Sequence, residues 1–179
     1  MEEFAFLLDI LPEGRPDSQR RFRREAIVYG IGSEEYKIFE MEPVKGVSLS
    51  IGDKVYIGKD HELRKEIESV KARVKYNDLT HTAQSELPFI LDEIIKSQEE
   101  KFVQFFNNAG PISRRYHSLE LLPGLGKKTM QGMISSRPFS SFQEIEDNVQ
   151  GFKNPAKYIS ARIEHEIKVQ DQKYRLFVR

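Results

Sequence analysis

The spacing of apolar residues changes near residue 77, and this change constrains the fold more than any other feature of the chain. Before it, short apolar runs alternate with polar residues and stop at glycine or proline, a pattern that predicts β-strands. After it, apolar residues recur every three or four positions, which predicts helices. We therefore expect an α+β protein with a small N-terminal β-barrel domain over residues 1–76 and a helical domain over residues 77–179.

Several short strands with glycine or proline turns are typical of a small barrel. Strands are predicted at residues 4–11, 25–32, 36–43 and 50–58, with a possible return at 73–76 and another at 173–179. The aromatic residues of these strands indicate a core, and Tyr29 and Tyr36 are the possible exposed positions for base stacking.

Residues 62–71 carry too many charges for a core strand, and a helix and a surface ribbon both fit them. Basic residues between positions 64 and 75 alternate with Glu62, Glu66 and Glu68, which favours a salt-bridged surface. These basic residues are Arg64, Lys65, Lys71, Arg73 and Lys75.

Helix boundaries in the second half follow from capping residues and breakers. We expect Ser85 to cap the first helix, Ser113 to cap a short one and residues 127–136 to form another. A capping box at Ser141 and the pair Asn154-Pro155 predict the last two helix starts.

Residues 121–130 read LLPGLGKKTM, in which a tight turn leads into two lysines and a threonine. The first turn of a helix has unpaired N–H groups and the positive end of the helix dipole. Glycine leaves these groups uncovered, so a phosphate can approach the backbone closely. A purely structural turn between two helices is the alternative. The candidate phosphate-binding residues are Gly124, Leu125, Gly126, Lys127, Lys128 and Thr129, with Leu125 pointing inward.

The charge distribution is uneven although the formal net charge is zero. Residues 111–179 hold 12 Lys/Arg against 7 Asp/Glu, so the segment that contains this turn is basic. A loop over residues 15–24 contains five arginines, of which Arg20, Arg21, Arg23 and Arg24 are candidate phosphate contacts through counterion release. A solvated surface loop is the alternative.

The string LLPGLGKKT, followed by RPFSSF at 137–142, resembles the tandem helix-hairpin-helix domains of DNA repair and DNA-uptake proteins. The whole chain resembles an archaeal family of unknown function, domain of unknown function 655, through stretches such as LTHTA at 79–83 and FVQFFNNA at 102–109. That resemblance implies an oligonucleotide-binding-like barrel followed by a helix-hairpin-helix region, and nucleic-acid binding. A degenerate second copy at 151–155 has Pro155, which lacks an N–H group, and is expected to be structural.

Several kinds of chemistry are excluded or disfavoured by the residue inventory. The chain has no cysteine, which excludes disulfides, thiolate zinc sites and a cysteine nucleophile. The four histidines lack metal-ligand spacing. Helix-hairpin-helix glycosylases have a catalytic aspartate after the hairpin, but the residues around Asp147 do not match their motif. Asp92 and Glu93 are adjacent, as metal-binding carboxylates of a nuclease could be, but they lie on the polar side of a predicted helix. We predict no catalytic residue, no metal and no cofactor.

The sequence therefore predicts a non-catalytic protein that binds the phosphate backbone of RNA or DNA, with RNA favoured by analogy to the barrel. It shows no apolar run of membrane-spanning length, so we expect a cytoplasmic protein with no membrane partner. A protein-protein interaction scaffold is the alternative, and a nuclease or glycosylase is the third hypothesis.

Overall fold

The computed structural model describes residues 1–15 and 25–179 of the chain. The candidate contacts Arg20, Arg21, Arg23 and Arg24 lie outside the described residues. The chain divides into two compact units, residues 1–90 with 166–179 and residues 91–165. The first unit thus includes two stretches, 77–90 and 166–179, that lie beyond the predicted domain boundary at residue 76.

The first unit is built on a curled antiparallel sheet of five strands, a half-barrel. The strands are β1 (Phe4–Leu11), β2 (Ile27–Gly32), β3 (Ile38–Pro43), β4 (Lys54–Tyr56) and β5 (Ile67–Arg73). They lie in the order β4-β1-β2-β3-β5, in which the first four follow the Greek-key order. Among the described strands, β4 and β5 form the two edges of the sheet. The expected α+β architecture, strands first and helices after, is confirmed.

Alternation along β1 and β4 places one face of the sheet in the core. Ala5 and Leu7 point to this face and are fully buried, whereas Phe4 and Phe6, which alternate with them, are only half-buried. The core cluster comprises Ala5, Leu7, Val28, Met41, Val55, Ile57 and Ile67. A register shift in β1 between Leu7 and Asp9 interrupts this alternation.

Residues 61–75 form neither a long helix nor a strand at 73–76. His61–Leu63 is a short 3₁₀ helix, and β5 begins at Ile67. The charged residues are tolerated in β5 because it pairs only with β3 in the described sheet and exposes most of its side chains. The expectation of a surface ribbon was therefore closer than that of a helix.

Helix α1 (His81–Ser97) starts four residues before the predicted cap. The hydroxyl oxygen of Thr80 accepts a hydrogen bond from the Ala83 amide, so Thr80 takes the role that we assigned to Ser85. Pro88 lies inside the helix rather than in its first turn.

The second unit contains the remaining helices, packed around aromatic residues. They are α2 (Glu99–Asn108), α3 (Lys127–Ser136), α4 (Phe142–Asn148) and α5 (Pro155–Lys168), with a 3₁₀ helix at Ser118–Leu121; the last three residues of α5 belong to the first unit. The Phe106 ring meets the rings of Phe142 and Phe152 edge-on, at centroid distances of 6.5 and 5.8 Å. The predicted bounds of α3 and the predicted N-cap of α4, Ser141, are confirmed.

Ser113 does not cap a helix, contrary to the prediction. The amides of Ile112 and Ser113 both donate to the carbonyl oxygen of Tyr116, at 2.8 and 3.2 Å, and close a tight loop. The helical turn starts only at Ser118, so the first arm of the predicted hairpin is a four-residue 3₁₀ helix.

The C-terminal segment is bonded to a buried carboxylate and does not form a strand. Glu166, 1% exposed, accepts hydrogen bonds from the amides of Leu176, Phe177 and Val178. The strand that we predicted at 173–179 does not form.

Candidate functional site

The turn at residues 122–126 depends on the conformation of Gly124. Its φ of +83° lies in the left-handed region, which costs a residue with a Cβ atom about 1 kcal/mol or more. The Leu125 amide donates to the carbonyl oxygen of Leu122 at 3.2 Å and closes the turn. Leu125 is half-buried, so it anchors the turn only in part.

The first turn of α3 leaves its backbone amides open. Gly126 is the N-cap, with φ −77° and ψ 160°, and no side chain of the described residues caps the helix. A Cβ atom built on Gly126 would meet no heavy atom within 4 Å. Within residues 1–15 and 25–179, no acceptor is found for the amides of Lys127, Lys128 and Thr129. These amides are free to meet an anion.

Lys127 and Lys128 extend the positive character of this helix end. Both side chains are exposed, and neither ammonium group pairs with a carboxylate in the described part of the chain. Thr129 is half-buried directly behind them. The structure thus places all six predicted residues of the turn, Gly124 to Thr129, on one continuous segment that begins α3.

His117 has a structural role at the start of the 3₁₀ helix. Its Nδ1 atom accepts a hydrogen bond from the Leu119 amide at 3.1 Å, and Glu120 accepts one from the His117 amide at 2.7 Å. Burial, together with the positive charge of Arg137, lowers the pKa of the imidazole. A neutral ring is what an accepting Nδ1 requires.

The loop at 112–116 presents cationic and aromatic side chains that the sequence analysis did not single out. Arg114 and Arg115 are exposed at its tip, and Tyr116 is 51% exposed. Neither guanidinium group has an ion-pair partner among the described residues. The two adjacent arginines and the tyrosine after them are visible in the sequence. Because we predicted a helix capped by Ser113, we did not predict the loop that exposes them.

The second turn, before α5, differs from the first in its free donors. The Asn154 amide donates to Glu146 Oε1 at 2.6 Å, and Pro155 has no N–H group. The Glu146 carboxylate thus accepts the hydrogen bond that the Asn154 amide would otherwise donate to a phosphate. This geometry supports the structural role that we expect for the second turn.

Tyr29 and Tyr36, the expected candidates for base stacking, are fully buried, at 0% and 2% exposure. The Tyr29 hydroxyl instead meets Arg15 and Glu40, at 2.5 and 3.4 Å. These partners are remote in sequence, and an alternating pattern alone does not identify them.

Half-exposed aromatic residues lie instead on the outer face of β1 and β4. Phe4 and Tyr56 are paired across the two strands, with ring centroids 5.4 Å apart in an edge-on arrangement. The ammonium group of Lys54 lies 4.4 Å from the Phe4 centroid and 6.0 Å from that of Phe6. Aromatic rings beside a cation form the type of surface on which unpaired bases stack.

The acidic residues that we weighed for catalysis are dispersed. Asp147 is exposed on α4 and accepts a hydrogen bond from Gln143, whereas Asp92 pairs with Lys96 one turn along α1. In the residues that the structure covers, no group of three or more His, Cys, Asp or Glu side chains has a metal-binding arrangement. None of the described helices combines the length and apolar character needed to cross a membrane.

Comparison with known proteins gives consistent matches along the chain. The model of a family described as a protein of unknown function, DUF655, matches residues 1–179. An uncharacterised protein of Methanocaldococcus jannaschii, MJ0038, is 42% identical over 182 residues, which cover 99% of this chain and 80% of that protein. The crystal structure of Af1531 from Archaeoglobus fulgidus, also assigned to DUF655, superposes with a TM-score of 0.93. It shares 42% identity with this chain and covers 99% of it and 100% of the solved chain. The chain therefore belongs to the DUF655 family.

Proposed function

We propose that this chain is a non-catalytic nucleic-acid-binding protein that grips the phosphate backbone through residues 124–129. The observation that carries the proposal is the open first turn of α3, where three consecutive amides lie beside two lysines that pair with no carboxylate of the described chain. Such a site recognises phosphate oxygens and no base edges, so it predicts binding without strong sequence preference.

The turn also supports a helix-hairpin-helix interpretation of residues 118–136. A short helical turn, a glycine with positive φ and a helix with an uncapped start follow one another in this segment. The first arm is only a 3₁₀ helix, so the binding surface in the proposal consists of the turn and the start of α3.

The sheet supports an oligonucleotide-binding-like interpretation of the first unit. A five-stranded, partly open Greek-key barrel is the architecture of that fold, and the strand order β4-β1-β2-β3-β5 fits it. Phe4, Phe6 and Tyr56 with Lys54 offer rings and a charge for unpaired bases. This surface favours single-stranded nucleic acid, and RNA is the preferred candidate.

A salt titration with matched variants tests the proposal. The affinity for a fluorescent single-stranded RNA and for the same sequence in DNA would be measured between about 50 and 200 mM salt. Lys127→Ala with Lys128→Ala should weaken binding and flatten the slope of log affinity against log salt by about one per lost contact.

The control removes the same charge at the second turn, through Lys153→Ala with Lys157→Ala. Both lysines are exposed, and at the second turn the Asn154 amide is bonded to Glu146 while Pro155 has no N–H group. This control should leave the slope close to that of the parent. Equal flattening in both double variants would mean diffuse attraction rather than a site at α3. No binding to either nucleic acid would favour the scaffold hypothesis.

A further inference from the structure

The first unit contains a cavity whose lining residues take no part in the proposed function. A cavity of about 360 Å³ opens between β3, the residues that follow β5 and the C-terminal segment. Its volume lies within the range of ~300–1,000 Å³ that is common for small-molecule sites. All of its lining residues belong to the first unit.

The cavity is lined by four cationic side chains and one carboxylate. Lys37 pairs with Glu35, whereas Arg73, Lys75 and Arg175 have no carboxylate partner within the described ranges. This finding corrects the expected salt-bridged surface, because among the described residues Lys71 is the one basic residue of that surface with an ion pair, to Glu42.

The one carboxylate in the lining, that of Glu166, is hydrogen-bonded to main-chain amides. Both oxygens of Glu166 accept hydrogen bonds from the amides of residues 176–178, at 2.7 to 3.0 Å. Each guanidinium group is oriented by a hydrogen bond to a main-chain oxygen. Arg73 donates to the carbonyl oxygen of Arg179 at 3.2 Å, and Arg175 donates to that of Gln170 at 2.7 Å. The cavity therefore offers an excess of positive charge with two oriented arginines.

The remaining lining is apolar and aromatic. Ile38, Val74 and Ile167 contribute aliphatic surface, and Tyr76 contributes a half-buried ring. A ligand that fits both parts of the lining has a doubly charged anionic head and a flat, weakly polar body. Arginine forks match phosphate oxygens, and a phosphate monoester carries nearly two negative charges at neutral pH.

We infer that this cavity binds a nucleoside monophosphate or a closely similar phosphate monoester of a ring compound. The phosphate meets Arg73, Lys75 and Arg175, and the base lies against the apolar wall. This site is independent of the turn at α3 and does not rest on the proposed function.

Calorimetric titration with AMP, adenosine and ribose 5-phosphate tests the inference on the full chain. AMP should bind at one equivalent, and adenosine and ribose 5-phosphate should each bind at least about tenfold more weakly, since each lacks one half of the recognition. Arg73→Ala with Lys75→Ala should weaken AMP binding by at least about tenfold. Both side chains are exposed, so the fold should tolerate the change, which a thermal unfolding curve checks.

Two controls separate this site from its surroundings and from a general loss of positive charge. Lys71→Ala removes a charge from the same strand but outside the cavity, and Lys153→Ala with Lys157→Ala removes two exposed charges outside both the cavity and residues 124–129. Both variants should bind AMP as the parent does. The inference is overturned if AMP does not saturate the protein, if adenosine binds as tightly as AMP, or if the Arg73 and Lys75 variant retains full affinity. Equal binding of ribose 5-phosphate would overturn the assignment of the base to the apolar wall.

Discussion

Thr80 joins the start of α1 to strand β1, because its hydroxyl group donates a hydrogen bond to Oδ2 of Asp9 at 2.5 Å. The same hydroxyl oxygen accepts the Ala83 amide at 3.1 Å. Asp9 is only 8% exposed and lies beside the register shift of β1, where its Oδ1 also accepts the Ile10 amide. One side chain thus caps a helix and satisfies a buried carboxylate 71 positions away.

Replacing Thr80 by valine should lower the free energy of unfolding by about 2 kcal/mol. The isosteric change removes the helix cap and leaves one oxygen of Asp9 without its donor. Urea denaturation followed by circular dichroism measures the effect. Thr80→Ser keeps the hydroxyl and should retain most of the stability, so an equal loss in the serine variant would contradict this role.

Gly126→Ser separates helix stability from phosphate binding. Serine at an N-cap accepts a hydrogen bond from a first-turn amide, so α3 should become slightly more stable, by a few tenths of a kcal/mol. The same bond occupies a donor that the phosphate needs, and nucleic-acid affinity should fall.

The matched control for this variant is Gly132→Ala, inside α3. A Cβ atom there would meet no heavy atom within 4 Å, and alanine should stabilise the helix by about 1 kcal/mol. Binding should be unchanged in this control. Full affinity in the Gly126→Ser variant would show that the open amides do not contact the ligand.

Protonation of His117 should make the free energy of unfolding depend on pH. Burial lowers the pKa of the folded imidazole below its usual value of 6.5, so the unfolded chain binds more protons in this window. This contribution is therefore fully present above about pH 6.5 and is lost as pH falls through the lowered folded pKa. Protonation also removes the Nδ1 acceptor from the Leu119 amide.

Urea unfolding at pH 8 and pH 5, compared between the parent and His117→Asn, checks this term. Asparagine retains an acceptor at the cap and does not titrate, so the variant should lose less stability on acidification than the parent. If the parent and the variant lost the same stability on acidification, His117 would not contribute to the acid sensitivity of the fold.

Arg137 is basic and close in sequence to α3, yet its contacts are structural. Its Nη1 atom donates to the carbonyl oxygens of Phe106, Asn107 and Ala109, at 3.2, 3.0 and 2.7 Å, at the end of α2. Arg137→Gln should lower the free energy of unfolding by about 1–3 kcal/mol, because carbonyl groups at a helix end lose a charged donor. The salt slope of nucleic-acid binding should not change. A flatter slope at unaltered stability would instead place Arg137 in the binding surface.

The sequence pattern predicted those strands and helices whose bounds depend on residues close to one another in the chain. Residues 4–11 form β1 and residues 127–136 form α3 with the predicted bounds, since alternation and a glycine turn are local signals. The start of α1 was misplaced because Thr80 is stabilised there by Asp9, which lies far away in sequence.

The binding candidates divide in the same way. The turn at 124–129 was predictable because one short string contains its glycines and lysines. The cavity beside β5 was not, because it combines Arg73 with Arg175, and long-range hydrogen bonds such as those of Glu166 and Arg73 bring the C-terminal segment to that place. Tyr29 was misjudged for a similar reason, since its hydroxyl partners are Arg15 and Glu40.

The two sheet edges also bear on how copies of this protein behave at high concentration. Strand β4 offers only three residues for pairing, whereas β5 carries Lys71 and Arg73 and departs twice from regular register with β3. Short, charged or bulged borders discourage strand addition from a neighbouring chain. We therefore expect concentrated solutions to resist fibril growth through these borders.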